Sequence, residues 1–229
     1  MAGSSGPFTR NRIVALVALL VVLVAAVGVA TLWSSPGGRA TASGGEPELQ
    51  GYTFVYHPGS AVTVVKQSFT DNVSRLRVVG PDATVSWTNA SGGSTNMVAR
   101  FDRRRFGATP GSTLRVEKYV QSADYWMTSG NSTVPNGPTS GTFVFCFHQK
   151  PALTVVNVDP NGTSTAHLAL VGPRGSVSWA NASLGSTRTD ATFAWNRHAL
   201  GAAAGDTVSL VRVDPSTGQR TTLRTATIP

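Results

Sequence analysis

Residues 85–95 read VSWTNASGGST, and residues 177–187 read VSWANASLGST. Nine of the eleven positions are identical, and Trp179 follows Trp87 by 92 residues. The repeat extends outward in both directions. VGP at residues 79–81 returns at 171–173, and Phe101 matches Phe193 at the same spacing. Upstream, YTFVYHPGSAVTVVK resembles GTFVFCFHQKPALTVVN. Downstream, GSTLRVEKY resembles GDTVSLVRV, with two residues gained in the second copy. The likeness spans residues 52–119 and 142–213. A period this long exceeds a solenoid unit, so the pattern implies a domain duplicated in tandem.

Each copy is a series of short apolar or alternating runs separated by turn residues. In the first copy the runs are YTFVYH, AVTVVKQ, SRLRVVG, ATVSWTN, MVARFD and STLRVEKYV, and DYWMT fills the last position. PGS, TDN, GPD, ASGGS and GATPG stand between them and carry Gly, Pro, Asp and Asn. These residues favour turns through fixed or positive φ and local side-chain hydrogen bonds. Six or seven such strands per copy predict an antiparallel β-sandwich of immunoglobulin-like type. The fold class expected is therefore all-β, with two tandem sandwiches. In the opening stretch, VSW reads as a strand whose Trp87 or Trp179 faces the core, and the NAS that follows reads as a turn.

Residues 13–33, IVALVALLVVLVAAVGVATLW, form 21 uncharged positions. At about 1.5 Å per residue a helix of this length reaches about 30 Å, the thickness of a bilayer core. Arg10 and Arg12 precede it, and no acid occurs before Glu46. The positive-inside rule then leaves residues 1–12 cytoplasmic and the rest outside the cell. A signal anchor is the leading reading. A cleaved secretory signal is the alternative, with ATA at residues 40–42 as the small-x-small site. Residues 34–50, rich in Gly, Ser, Ala and Pro, read as a stalk. The first β domain is expected over 51–128, a linker over 129–140 (within a loop-like stretch from Thr128 to Gly141), and the second domain over 141–229.

The formal charge is +8, and the one dense basic run is Arg103, Arg104 and Arg105 with Arg100 close by, a candidate basic patch. It lacks aromatic interleaving and any nucleic-acid motif, and it falls in the extracellular part, so nucleic acid is not an expected partner. The single Cys146, in TFVFCFH, excludes an intrachain disulfide and reads as a small buried hydrophobe. The four histidines lack metal-ligand spacing; His57 and His148 end equivalent first strands. No HExxH, CxxC, calcium loop or G-x-S-x-G elbow occurs, and the acids are scattered. The reading therefore assigns no enzyme activity, no metal and no cofactor.

Five asparagines open an N-x-S/T sequon and are candidate glycosylation sites: Asn72, Asn89, Asn131, Asn161 and Asn181. Tyr119, Tyr125, Trp126 and Met127 lie near the junction of the copies. They read either as packing residues or as a contact patch, and Tyr125, Trp126 and Trp195 are the candidate contact aromatics.

GDTVSLVRVDPSTGQRTTLRTATIP, residues 205–229, following VSW and a phenylalanine, resembles the closing β domain of archaeal type IV pilin-like and related secreted surface proteins. They share a layout of basic start, apolar helix and sequon-bearing sandwich. This chain departs from them in its basic charge and in its leader, where TRNRIVAL has no small residue before the apolar run. The resemblance implies a structural role at the cell surface. The combined expectation is a membrane-anchored extracellular protein, structural or adhesive, whose partners are the membrane, a protein or a further copy of itself, and a glycan. A carbohydrate-binding or receptor-like module is the alternative. The third reading is an accessory subunit of a membrane complex, held through the small residues AAVGVA at 25–30.

Overall fold

The computed structural model describes residues 51–68, 70–149, 152–181 and 192–229, with the side chains of 192–195 outside that description. The apolar run at 13–33 and the stalk at 34–50 lie outside the described residues. Among the described residues no helix is long and apolar enough to cross a membrane.

Among the described residues the protein is all-β. In the first repeat the strands are β1 (Tyr52–Tyr56), β2 (Ala61–Lys66), β3 (Leu76–Val79), β4 (Thr84–Ser86), β5 (Val98–Asp102), β6 (Thr113–Val120) and β7 (Tyr125–Thr133). The second repeat supplies β8 (Phe143–Phe147), β9 (Ala152–Asn157), β10 (Leu168–Val171), β11 (Ser176–Ser178), β12 (Thr192–Asn196), β13 (Thr207–Val213) and β14 (Arg220–Thr227). Among the described residues helix occurs only as 3-10 turns of three or four residues. Each repeat pairs its strands in one way: a three-stranded sheet, β1-β2-β5 or β8-β9-β12, and a four-stranded sheet, β4-β3-β6-β7 or β11-β10-β13-β14. All pairings are antiparallel. Even the irregularity is repeated, since the β6–β7 ladder slips at Val116/Glu117 and the β13–β14 ladder at Leu210/Val211.

Each repeat encloses its own core. In the first, Tyr52, Phe54, Val62, Val64 and Phe101 of the three-stranded sheet meet Leu76, Val78, Val85, Leu114 and Val116 of the four-stranded one. Trp87 lies between Tyr52 and Phe101, edge-on to both, with centroids 6.2 and 6.4 Å away. Its Nε1–H donates to the carbonyl of Thr95 at 2.9 Å. Trp179 is buried equivalently against Phe143. The VSW strands stop one residue earlier than expected. β4 ends at Ser86, and Trp87 opens a 3-10 turn, Trp87–Asn89, that swings the indole into the core.

The repeated VGP has a steric cause. A Cβ on Gly80 would lie 2.4 Å from the Cβ of Phe106, and one on Gly172 would lie 2.6 Å from the Cβ of Leu200. The 3-10 turns Arg103–Phe106 and Arg197–Leu200 therefore close onto the chain only where it carries glycine.

The structure revises three alignments drawn from the sequence. β7 runs to Thr133, through residues expected as linker from 129, and Val134 still belongs to the first core. A charge-free stretch of Ser, Thr, Gly and Asn reads as loop by composition, yet β6 supplies it with a full ladder. Second, Phe101 pairs with Val62 and Trp195 with Leu153, so Trp195 rather than Phe193 holds the place of Phe101. Third, the two extra residues therefore enter before β12, not after it.

The three-stranded sheets explain the least alternating runs in the sequence. β9 is buried at every position and β2 at five of six. Such a run signals burial on both faces. The second face is the other repeat: Val55, Val65, Met97 and Val98 pack with Cys146, Val156 and Val158 in a third apolar cluster.

Candidate contact surface

The outer face of the first four-stranded sheet carries the exposed aromatics of this fold. Its strands alternate: Leu76 and Val78 point into the core, and Arg77 and Val79 point out. The same alternation places Glu117 beside Arg77 and Trp126 beside Tyr119 on the outer face. Arg77 donates through Nε to Glu117 at 2.9 Å and carries its guanidinium 3.8 Å above the centre of the Trp126 ring. Tyr119 contacts the same indole at 5.3 Å between ring centroids, and its hydroxyl donates to Asp124 in the hairpin turn. Arg115 reaches Glu117 from the far side at 3.7 Å. The indole is thus held by a cation and a second ring, an arrangement worth about 0.5–1 kcal/mol at an exposed position.

Tyr125, Trp126 and Met127 are 47, 36 and 42 % exposed. Successive strand residues point to opposite faces, so exposure of all three means that this end of the β6–β7 hairpin projects beyond the core. Three consecutive large apolar side chains are therefore left in water, outside the packed core. The candidate contact aromatics Tyr125 and Trp126 are thus both exposed at this hairpin end, on opposite faces of the strand. For Trp195 the register gives the position of Phe101, a core residue of the first repeat; its side chain lies outside the described residues.

The arginines of the basic run each have a different partner. Arg104 pairs with Asp102 through Nη2 at 2.7 Å, and that hydrogen-bonded guanidinium holds the Asp102 carboxyl well below the usual carboxylate range. Arg103 donates to the carbonyl of Gly59 and lies 5.8 Å from the Tyr56 ring. Arg105 donates to the carbonyl of Asn89 at 3.3 Å. Arg100 stands apart on β5, opposite Thr63, where burial lowers its pKa.

Asn72, Asn89, Asn161 and Asn181 are exposed, while Asn131 is half-buried within β7. Asn72 caps the turn Val73–Arg75, its Oδ1 accepting from the backbone N and the hydroxyl of Ser74. Ser74 is also the sequon hydroxyl, so the same two residues build the turn and the sequon. Asn181 falls at the edge of the described residues.

Two buried arrangements were missed by sequence reasoning. His57 and His148 are both 2 % exposed and lie where the repeats meet. Nδ1 of His57 donates to the carbonyl of Val158 at 2.7 Å, and its Nε2 accepts from the hydroxyl of Thr63 at 2.7 Å. His148 repeats the second bond with Thr154 at 2.7 Å and meets the carbonyls of Gln67 and Lys66. Burial pushes both imidazoles down to about 4. Burial likewise pushes the Cys146 thiol up to about 12, which suits a packing residue. The second arrangement centres on Asp71. Its carboxylate accepts from Tyr52 and Lys118, and its carbonyl accepts from the buried Lys66 at 2.6 Å. The visible signal for the first was a histidine ending each opening strand; Lys66 gave none.

Among the described residues no group of three or more His, Cys, Asp or Glu is placed to hold a metal ion. No protein-family model matches the chain, and comparison with curated proteins finds no match.

Proposed function

We propose that the chain is a membrane-anchored extracellular surface protein whose two immunoglobulin-like sandwiches form a structural or adhesive unit. The carrying observation is the exposed hairpin end of Tyr125, Trp126 and Met127, braced by Arg77 and Tyr119. Its counterparts in the second repeat are different: Ala169, Val211, Val213 and Arg220 hold the register positions of Arg77, Glu117, Tyr119 and Trp126. A duplicated domain with an aromatic contact surface on one copy suits a subunit in which one sandwich binds and the other supports. The anchor at residues 13–33 and the stalk that follows would hold this surface away from the bilayer. The sequons at Asn72, Asn89, Asn131, Asn161 and Asn181 would then face the outside, where glycosylation occurs.

The test is protease shaving of intact cells carrying the full chain, with a parallel assay of cell-surface binding by the Trp126→Ala variant. The proposal expects the β domains to be released from the outside, the N-terminal segment to stay with the membrane, and binding to fall at least tenfold. A chain that resists shaving in intact cells, or a variant that binds as well as the parent, would overturn it.

A second reading rests on Trp126 alone. An indole fixed by Arg77 at one side is suited to stacking against the C–H face of a sugar ring. Titration of neutral and acidic oligosaccharides while following tryptophan fluorescence separates the two readings. A saturable change lost on Trp126→Ala supports the glycan, and an unchanged spectrum returns the surface to a protein partner.

A further inference from the structure

The contact between the repeats maps onto itself when the two repeats are exchanged. Val55 corresponds to Cys146 and Val65 to Val156, in each case 91 residues on. His57 reaches the carbonyl of Val158, and His148 reaches that of Gln67, which holds the place of Val158 in the first repeat. A reciprocal list of this kind defines an isologous surface, one that a fold makes with a copy of itself. The correspondence is not complete, since Val98 stands opposite Val65 where Thr192 stands opposite Val156, and one further position differs in charge. Arg100 stands opposite Thr63 on β5, whereas Ala194 stands opposite Thr154 on β12. Pairing two first repeats would bury two guanidiniums at one interface, while pairing a first with a second repeat buries one. Like charges brought together with partial burial are unfavourable.

We propose that the outer face of β1-β2-β5 is a recognition surface for the β8-β9-β12 face, and that a second copy of this chain can supply that face in place of the chain's own. Within one chain the contact is favoured by a short tether, residues 135–142, that Thr139 pins to β1. The backbone N of Thr139 donates to the carbonyl of Tyr56, and its hydroxyl oxygen accepts from the Tyr56 N–H, both at 2.8 Å. Such a tether gives an effective concentration in the millimolar range, which a dense array of copies on a membrane can match. Exchange then links neighbouring chains through an interface already present in each. This deepens the structural role proposed above and rests on it only for the crowding.

The test uses the native thiol. Cys146 lies in hydrogen-bonding contact with the Thr53 side chain, so Thr53→Cys places a second thiol against it across the interface. Full-length Thr53→Cys, oxidised mildly, is expected to give a monomer with an internal cross-link. The same chain lacking residues 136–139 is expected to give dimers or larger species cross-linked between chains, with twice the mass or more by light scattering. Because the shortened chain could fail to fold, a second pair keeps the natural tether. Thr53→Cys/Cys146→Ala carries its thiol only in the first repeat, and the parent chain carries Cys146 only in the second. The two are unfolded, mixed at high concentration and refolded together. A disulfide-linked heterodimer with native tryptophan fluorescence supports exchange. A folded shortened chain that stays monomeric, or a mixture that yields folded monomers alone, overturns it. Purified protein answers this question and intact cells answer the anchoring one, so either proposal can fail without the other.

Discussion

The two repeats share their pairing, their bulge, their core tryptophan and their inter-repeat histidine, yet they differ on the outer sheet face. At four corresponding positions the first repeat carries Arg77, Glu117, Tyr119 and Trp126, and the second carries Ala169, Val211, Val213 and Arg220. The edge strands diverge with the face. β7 has no charge and begins with exposed aromatics, whereas β14 carries Arg220 and Arg224, the kind of charge that discourages edge pairing. What is common to both copies makes the fold and joins the repeats. What differs is the outer face on which the proposed contact surface lies. A buried difference fits the same logic. The end of β2 clamps the next loop through Lys66 Nζ to the carbonyl of Asp71 at 2.6 Å. The end of β9 does so through Asn157 Nδ2 to the carbonyl of Thr163 at 3.1 Å.

The largest effect expected from testing this comparison is a pH dependence that both copies contribute equally. His57 and His148 stay neutral in the fold down to about pH 4, whereas an imidazole in the unfolded chain takes up its proton near 6.5. Between those values the unfolded chain binds more protons, so the histidine contribution to stability falls as pH is lowered from 6.5 toward 4 and levels off below. Each histidine contributes on the order of 3 kcal/mol across that window. His57→Asn and His148→Asn keep a donor for the opposing carbonyl without a group that titrates there. Each is expected to remove about half of the slope in urea denaturation measured at successive pH values; unequal shares would break the symmetry of the interface.

Trp87→Ala and Trp179→Ala are next, each expected to cost about 3–5 kcal/mol by leaving a cavity where a fully enclosed indole stood. Denaturation curves check both the size and the equality. A smaller effect comes from exchanging the buried clamps. Lys66→Asn imports the solution used by the second repeat, but the shorter side chain cannot reach the carbonyl of Asp71. It is expected to cost about 1–3 kcal/mol in the same assay, through an unpaired buried acceptor and a lost aliphatic stem. The smallest effect on folding belongs to Trp126→Ala, within about 1 kcal/mol, because the residue is exposed.

The duplication, the all-β class and the two core tryptophans were legible because identical residues recur at one spacing and apolar residues alternate along the strands. Tyr119, Tyr125, Trp126 and Met127 drew notice because they cluster near the junction of the copies, but sequence could not separate packing from exposure, which the hairpin's projection decides. The inter-repeat interface was harder to read. The unbroken apolar runs of β2 and β9 signal burial on both faces, but a run cannot say what covers the second face. The role of Lys66 was hidden for the opposite reason: a lysine ending a strand reads as exposed, and only the fold of the following loop brings a carbonyl to it. The insertion before β12 was misplaced because Phe101 and Phe193 match by letter, while the ladder matches Phe101 to Trp195.

The most direct test of the central claim, that one repeat carries the contact surface and the other supports it, is a paired binding measurement. The full chain, its Trp126→Ala variant and its Arg220→Ala variant, which alters the corresponding position of the second repeat, are assayed on the same cell-surface preparation. The account predicts at least tenfold weaker binding for Trp126→Ala and unchanged binding for Arg220→Ala, with both variants folded. Equal losses, or a loss confined to Arg220→Ala, would contradict it.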